Sequence, residues 1–255
     1  MISESPKKIS VITIVRNDVY HIKHTIESVI RIKNQFIEYI IIDGNSTDGT
    51  IEVINQFSGL IDFFLSESDS GIYNAMNKGL RLATGESVIF MNSGDVFHAN
   101  FTFDQLLSSH FLPTKVVIGR SIQYFGTDRY LRTSDDKLNL LIANPPHQSV
   151  LVPKSFYKFH PYDETLEIAA DYYWIIQAMN VCGFEIIGDI ISEFSLGGRS
   201  SSNKWRDLVK VQKEMKTNFT LFKSAIKFIM MNILGVKFGY RMLFFLKYKR
   251  VPCGK

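Results

Sequence analysis

The stretch Ile40-Ile41-Ile42-Asp43-Gly44-Asn45-Ser46-Thr47-Asp48-Gly49-Thr50 decides the fold. Its branched aliphatic run favours a pleated, buried strand, and the Asp, Gly, Asn and Ser that follow break that strand and leave an acid at its tip. The pattern returns at Val88-Ile89-Phe90-Met91-Asn92-Ser93-Gly94-Asp95. Open α/β sheets bind ligands beyond the carboxyl ends of their strands, so both acidic tips are expected at one sheet edge.

Outward from this stretch, Ile9 to Val15 reads as a first strand, stopped by Arg16-Asn17-Asp18. Ile22, Ile26, Val29 and Ile30 then fall at helical spacing. After the second strand, Ser46-Thr47-Asp48 are expected N-cap residues of a helix whose apolar face holds Ile51, Ile54 and Phe57. A short strand at 61–65 leads through Ser68-Asp69-Ser70-Gly71 into a helix carrying Tyr73, Met76, Asn77, Leu80 and Leu82, with Gly85 as its expected C-cap. The fourth strand is 87–91. This alternation of strands and helices predicts a parallel sheet.

Beyond Asp95 the alternation weakens. The spacing predicts a helix over 103–109, a strand at 116–119, hairpin material over 121–132 and a strand at 150–152. Pro145 and Pro146 exclude a helix interior ahead of that strand. A last helix starts near Ala169-Ala170-Asp171 and ends at Cys182-Gly183, so this half is expected to be mixed.

The chain has 255 residues, 45% of them hydrophobic, enough for one full core. Cys182 and Cys253 are too few for a disulfide framework and lack metal-ligand spacing, which suits a reducing compartment. No signal-peptide region and no run near 20 apolar residues is found, so a cytoplasmic location is expected. The net charge of +4 hides an asymmetry: residues 204–255 hold 13 Lys or Arg against Asp207 and Glu214, whereas the body is acidic. In that segment basic residues interleave with Phe219, Phe222, Phe228, Phe238, Tyr240, Phe244, Phe245 and Tyr248, the pattern of an amphipathic helix lying on an anionic membrane surface. Packing on the catalytic domain or a homodimer contact is the alternative use of its apolar face. No nucleic-acid module accompanies the charge. Residues 1–203 thus form one expected domain and 204–255 a basic helical extension.

Five segments in order carry a resemblance: Ile12-Thr13-Ile14-Val15-Arg16-Asn17, Ile42-Asp43-Gly44-Asn45-Ser46-Thr47-Asp48-Gly49-Thr50, Ser66 to Gly79, Ala83-Thr84-Gly85-Glu86 and Met91-Asn92-Ser93-Gly94-Asp95. Over about residues 8 to 200 the chain resembles family 2 glycosyltransferases with a GT-A fold, a Rossmann-like, mostly parallel sheet flanked by helices. The Asn-Ser-Gly-Asp variant most resembles bacterial enzymes of capsule, colanic-acid-like and O-antigen assembly. The resemblance implies inverting transfer of a sugar from a nucleotide-diphosphate donor, uridine being the favoured base, to a carbohydrate acceptor. It further implies a polyprenyl-linked acceptor and a peripheral site on the inner membrane.

Sugar transfer must stabilise charge on the departing diphosphate, which Mn2+ or Mg2+ held by a carboxylate achieves. Asp95 is the expected ligand. The family usually carries Asp-x-Asp-Asp there; Asn92 and Gly94 replace two of those acids and leave one carboxylate. By resemblance, Val15, Asp43, Asp69, Gly71, Asn77, Asn92 and Ser93 are assigned to the nucleotide sugar, Gly71 as a point of close ligand approach. Asp171 matches the second acid of the family's Glu-Asp pair and is the expected catalytic base, with Ala170 in place of the first. His147, Gln148 and Arg199, the last in Gly197-Gly198-Arg199-Ser200, are assigned to acceptor or diphosphate. Two other readings stay open: a noncatalytic nucleotide-sugar binding module, and a sugar nucleotidyltransferase, though the latter needs a glycine- and lysine-rich phosphate loop that Ile14-Val15-Arg16-Asn17 does not provide.

Overall fold

Alternation along the strands builds two cores on the faces of one sheet. In the computed structural model, which describes residues 9–109, 114–125, 128–132, 145–195 and 249–250, β1 (Ile9–Val15), β2 (Ile37–Asp43) and β4 (Ser87–Phe90) point Ile12, Ile14, Ile40, Ile42, Val88 and Phe90 to one side. Val11, Val15, Tyr39, Ile41 and Ile89 point to the other. Both sets are buried, and each such side chain contributes about 1.5–3 kcal/mol of transfer free energy.

Helices close both faces. α1 (Ile22–Ile32), α2 (Thr50–Asn55) and α4 (Phe103–Ser109) cover the second core with Ile22, Ile26, Val29, Ile54, Phe103 and Leu106. α3 (Ile72–Leu82), α5 (Lys154–Tyr157) and α6 (Ala170–Cys182) cover the first with Met76, Leu80, Phe156, Trp174 and Met179.

Two halves of the sheet differ in direction. β1 pairs in parallel with β2 and β4, and β2 with β3 (Phe63–Ser66), so their carboxyl ends share one edge. β8 (Val150–Pro153) then runs antiparallel to both β4 and β6 (Val116–Phe125), and β6 forms the expected hairpin with β7 (Asp128–Arg132). Because β8 is reversed, its incoming turn lies where β1, β2 and β4 end. β9 (Phe184–Ser195) pairs parallel with β6 and antiparallel with the two-residue β5 (Val96–Phe97). The GT-A architecture expected from the sequence is present, parallel in its first half and mixed in its second.

Several local expectations are corrected. The N-cap of α2 is Gly49 rather than a residue of 46–48, although Asp48 Oδ1 does accept from the Thr50 N–H at 3.0 Å. Ala83, not Gly85, caps α3; the Gly85 N–H instead donates to Ser10 Oγ at 2.9 Å. That contact belongs to a lock at the closed end of the sheet, where the buried Glu38 carboxylate accepts from Ser10 Oγ, Thr84 N and Thr84 Oγ1. The helical expectation for 204–255 lies outside the described residues except at Lys249–Arg250, which form β10 against β7 and are strand.

Candidate active site

Asp43 ends β2 fully buried. Its carboxylate accepts from the Ser46 N–H at 2.9 Å, from Ser46 Oγ and from Ser66 Oγ at 2.7 Å, so it ties the β2 and β3 exits together. The tie continues. Ser46 Oγ accepts from the Asn17 N–H at 2.7 Å, the Thr47 N–H donates to Asn17 Oδ1 at 2.9 Å, and the next residue, Asp18, accepts from Ser93 Oγ at 2.7 Å. Asn17 and Asn45 hold positive φ of 50° and 60°, a conformation Asn tolerates better than most residues. Through this chain the buried Asp43 braces the loop after β4.

That loop forms one wall of a half-open cavity of about 530 Å³ at the carboxyl edge of the sheet. Asp18, His21, Asn92, Ser93, Gly94 and Asp95 line it on the β1 and β4 side. Ile72, Tyr73 and Met76 come from α3; His147 and Gln148 from the turn before β8; Glu167, Ile168 and Asp171 from the entry to α6; Phe194 and Ser195 from the end of β9. The cavity is acidic. Its lining residues include Asp18, Asp95, Glu167 and Asp171 but, among the described residues, no Lys or Arg.

Gln148 Nε2 donates to Asp95 Oδ2 at 2.9 Å, while the Asp95 backbone is held by Thr25, whose hydroxyl donates to its carbonyl at 2.9 Å. Burial pushes the Asp95 carboxyl up to about 6, against the opposing pull of His147 and the Gln148 hydrogen bond. Asp171, in the first turn of α6, accepts from the Tyr172 N–H at 2.8 Å and meets His147 Nδ1 at 3.3 Å. The Tyr73 hydroxyl approaches its Oδ1 to 3.5 Å. Tyr162 lies beneath. Its buried hydroxyl has no hydrogen-bond partner among the described residues, and burial, then the Asp171 charge and Tyr73, raise its pKa.

The structure therefore brings together six of the residues singled out from the sequence: Asn92, Ser93, Asp95, His147, Gln148 and Asp171. It places others elsewhere. Val15 packs its side chain into the core and offers only its carbonyl, which accepts from the Gly44 N–H at 2.9 Å. Asn77 is not among the residues lining this cavity: its Nδ2 donates to the Tyr162 carbonyl and Glu164 Oε1, and its Oδ1 accepts from the Tyr162 N–H, which tethers the 162–164 segment. Asp69 forms a neighbouring cluster, with Oδ1 accepting from the Gly71 N–H at 3.0 Å and the Arg16 guanidinium 4.0 Å away. A Cβ on Gly44 would stand 2.3 Å from Asp69 Oδ2, so only glycine admits this approach. At Gly71 a Cβ would meet no protein atom within 4 Å, and its φ of +144° is a conformation that L side chains rarely adopt. Arg199 lies outside the described residues.

Several lining residues escaped the sequence reading, Asp18 and His21 among them. These two are hydrogen-bonded at the start of α1, with His21 Nδ1 on Asp18 Oδ1 and Ser93 on the other oxygen. Asp18 sits in the Arg16-Asn17-Asp18 turn, where an acid after a strand was the available signal.

Comparison with known proteins agrees with this geometry. The family model described as glycosyl transferase family 2 matches residues 10–177. An uncharacterized glycosyltransferase of Mycobacterium tuberculosis is 31% identical over 206 residues, covering 77% of this chain and 78% of the relative. Among solved structures, Staphylococcus aureus TarS 1–349 in complex with UDP-GlcNAc superposes with a TM-score of 0.63 at 16% identity, over 80% of this chain; the chain spans 66% of that fragment. The mannosyltransferase PcManGT from Pyrobaculum calidifontis, in complex with GDP-Man and Mn2+, gives 0.62 at 16% identity, over 85% of this chain and 68% of PcManGT. Matched by its family model over residues 10–177, well over half of its length, the chain belongs to glycosyl transferase family 2.

Proposed function

We propose that the protein is an inverting glycosyltransferase that moves one sugar from a nucleotide-diphosphate donor, a uridine diphosphate sugar, to a lipid-linked carbohydrate in cell-surface polysaccharide assembly. One observation carries this reading: Asp95 and Asp171, each held by one of two consecutive residues, line the same cavity. Asp171 is the general base. It takes the acceptor hydroxyl proton as that oxygen bonds to the anomeric carbon; the carbon–phosphate oxygen bond breaks and its electron pair leaves with the diphosphate.

A divalent cation fits the residues present. The cavity is oxygen-rich and has no Lys or Arg of its own among the described lining residues, and desolvation raises the Asp95 carboxyl despite the opposing pull of His147. Hard oxygen donors suit Mg2+ or Mn2+. Bound there, the ion would neutralise charge on the leaving diphosphate. Among the described residues no group of three or more acids, His or Cys is placed to hold a metal, so Asp95 is the one protein carboxylate proposed as ligand. The donor's phosphates and water would complete the shell. Asn92 and Ser93 are assigned to the donor in the cavity; the Asp43, Asp69 and Gly71 cluster beside it is assigned to the nucleoside, and Arg199 to the diphosphate.

Donor binding is tested by thermal shift with UDP-, GDP- and dTDP-sugars, with and without Mn2+. A UDP-sugar at about 100 times its Kd should stabilise the fold by about 2.7 kcal/mol, and only with the ion present. Stabilisation by a GDP-sugar alone would overturn the uridine assignment; stabilisation that persists in chelator would overturn the cation.

Among the described residues no helix is long and apolar enough to cross a membrane. The basic, aromatic segment 204–255 is proposed as a peripheral contact with anionic lipid that brings the cavity to its acceptor. Truncation after Asn203 should lower recovery on anionic vesicles more than it lowers turnover of a water-soluble acceptor. Unchanged vesicle binding would refute the contact.

A further inference from the structure

Asn92 departs from the acid usual at its position, and the structure gives that departure a partner. Its Nδ2 lies 3.2 Å from His147 Nε2, and His147 Nδ1 lies 3.3 Å from Asp171 Oδ2. The imidazole bridges the loop after β4 to the start of α6, with only 18% of its side chain exposed. Both neighbours constrain it. An ionised Asp171 can only accept, which puts a proton on Nδ1; with the Asn92 amide placed NH2 toward the ring and its buried Oδ1 without a partner among the described residues, Nε2 presents its lone pair. The two contacts are satisfied together by one neutral form of the ring, the Nδ1–H tautomer. An acid at 92 would instead leave the ring between two carboxylates and demand a proton on both nitrogens.

We propose that Asn92 and His147 are a matched pair: the asparagine fixes His147 as its Nδ1–H tautomer, and His147 is the positioning residue that aims the Asp171 carboxylate at the acceptor. The inference rests on the reading of Asp171 as base. In this role His147 acts through Asp171 rather than on either sugar. Its neighbour Gln148 holds Asp95 from the same short 3-10 turn, His147–Ser149, which Pro146 precedes and β8 continues. One turn therefore sets the spacing between the residue proposed for the departing diphosphate and the residue proposed for the incoming hydroxyl. The hydroxyl of Ser149, third residue of the turn, donates to the Arg120 carbonyl at 3.0 Å and pairs with Ser192 Oγ, anchoring the turn on β6 and β9.

The first test is the ring itself. Long-range proton–nitrogen spectra of the full-length protein labelled with 15N-histidine, with His147 assigned by loss of its signals in His147→Gln, should show a protonated Nδ1 and a bare Nε2 at pH 8. Asn92→Asp should convert the ring to the doubly protonated form. An Nε2–H ring in the parent protein, or a ring indifferent to Asn92→Asp, overturns the proposal.

The second test separates positioning from binding. His147→Ala should lower kcat by about 10- to 100-fold, the cost of a misaimed reacting group, with the donor KM within about twofold of the parent. His147→Gln, whose amide keeps an N–H toward Asp171, should recover part of the loss. In an Asp171→Asn background His147→Ala should cost nothing further. Losses that multiply, or a raised KM with kcat kept, would make His147 a substrate contact and sink the proposal. Full transfer by Asp171→Asn alone would instead remove the base, while the nitrogen spectra still decide whether Asn92 fixes the ring.

Discussion

Asp171→Asn lowers kcat for sugar transfer by about 10²- to 10⁴-fold, the range expected for loss of a general base, while the stabilisation conferred by donor stays near that of the parent. The substitution is conservative in place. The asparagine oxygen can still accept from the Tyr172 N–H, while its NH2 takes the place of the Oδ2 that met His147 Nδ1, so retained donor stabilisation is what shows that the site stays formed and that the loss reports proton transfer. Release of nucleoside diphosphate with and without acceptor measures the first quantity, and a melting curve with donor measures the second. Transfer at the parent's rate would take Asp171 out of the reaction. Loss of donor stabilisation together with activity would move it to the binding of the nucleotide sugar.

Asp95→Asn produces the opposite pairing of effects, with activity down and stability up. Burial raises the folded-state pKa of this carboxyl from 3.8 to about 6, so ionising it opposes folding. The sign follows from proton binding. Between pH 4 and 6 the folded chain holds a proton on Asp95 that the unfolded chain has released, so stability falls as pH rises through that window and the penalty is complete above it. A shift of this size corresponds to about 3 kcal/mol, which Asp95→Asn should restore at pH 8 and not at pH 4. For a chain of this length the gain is a melting temperature higher by roughly 5 °C or more, in the absence of donor and divalent ion. Parallel melting curves of the two proteins from pH 4 to 8 would show the assigned burial penalty to be wrong. The site is then a place where the fold tolerates a local cost for the sake of a charge that the ligand compensates.

The parallel half was legible because three of its four strands, β1, β2 and β4, are branched runs with an abrupt polar stop. β1, β2 and β4 bury both faces, so their sequences are continuous and apolar, and the Asn and Asp beyond them mark the edge where the cavity forms. β9 was missed for the converse reason. Its Phe-Glu-Ile-Ile-Gly-Asp-Ile-Ile-Ser-Glu-Phe-Ser neither alternates nor runs apolar, because its pairing with β6 shifts register between Ile118 and Ser121 and different faces are covered along its length. With it went Phe194 and Ser195 of the cavity wall. Asp18 was read as a turn former because its role depends on Ser93, which no local pattern connects to it. His147 and Gln148 were legible as residue types but not in their roles. They precede their strand, and in a reversed strand such as β8 the entrance, not the exit, reaches the reactive edge. Asp43 was located correctly at the strand tip, yet its burial behind Ser46 and Ser66 depends on how two loops fold over it.

The approach of Asp69 to Gly44 gives the Asp-Gly step after β2 an author outside its own loop. The glycine is small because an acid from the β3 exit fills the space where any side chain would begin, with the Arg16 side chain 3.1 Å from the same point. A larger residue after Asp43 therefore asks two side chains, not one, to give way.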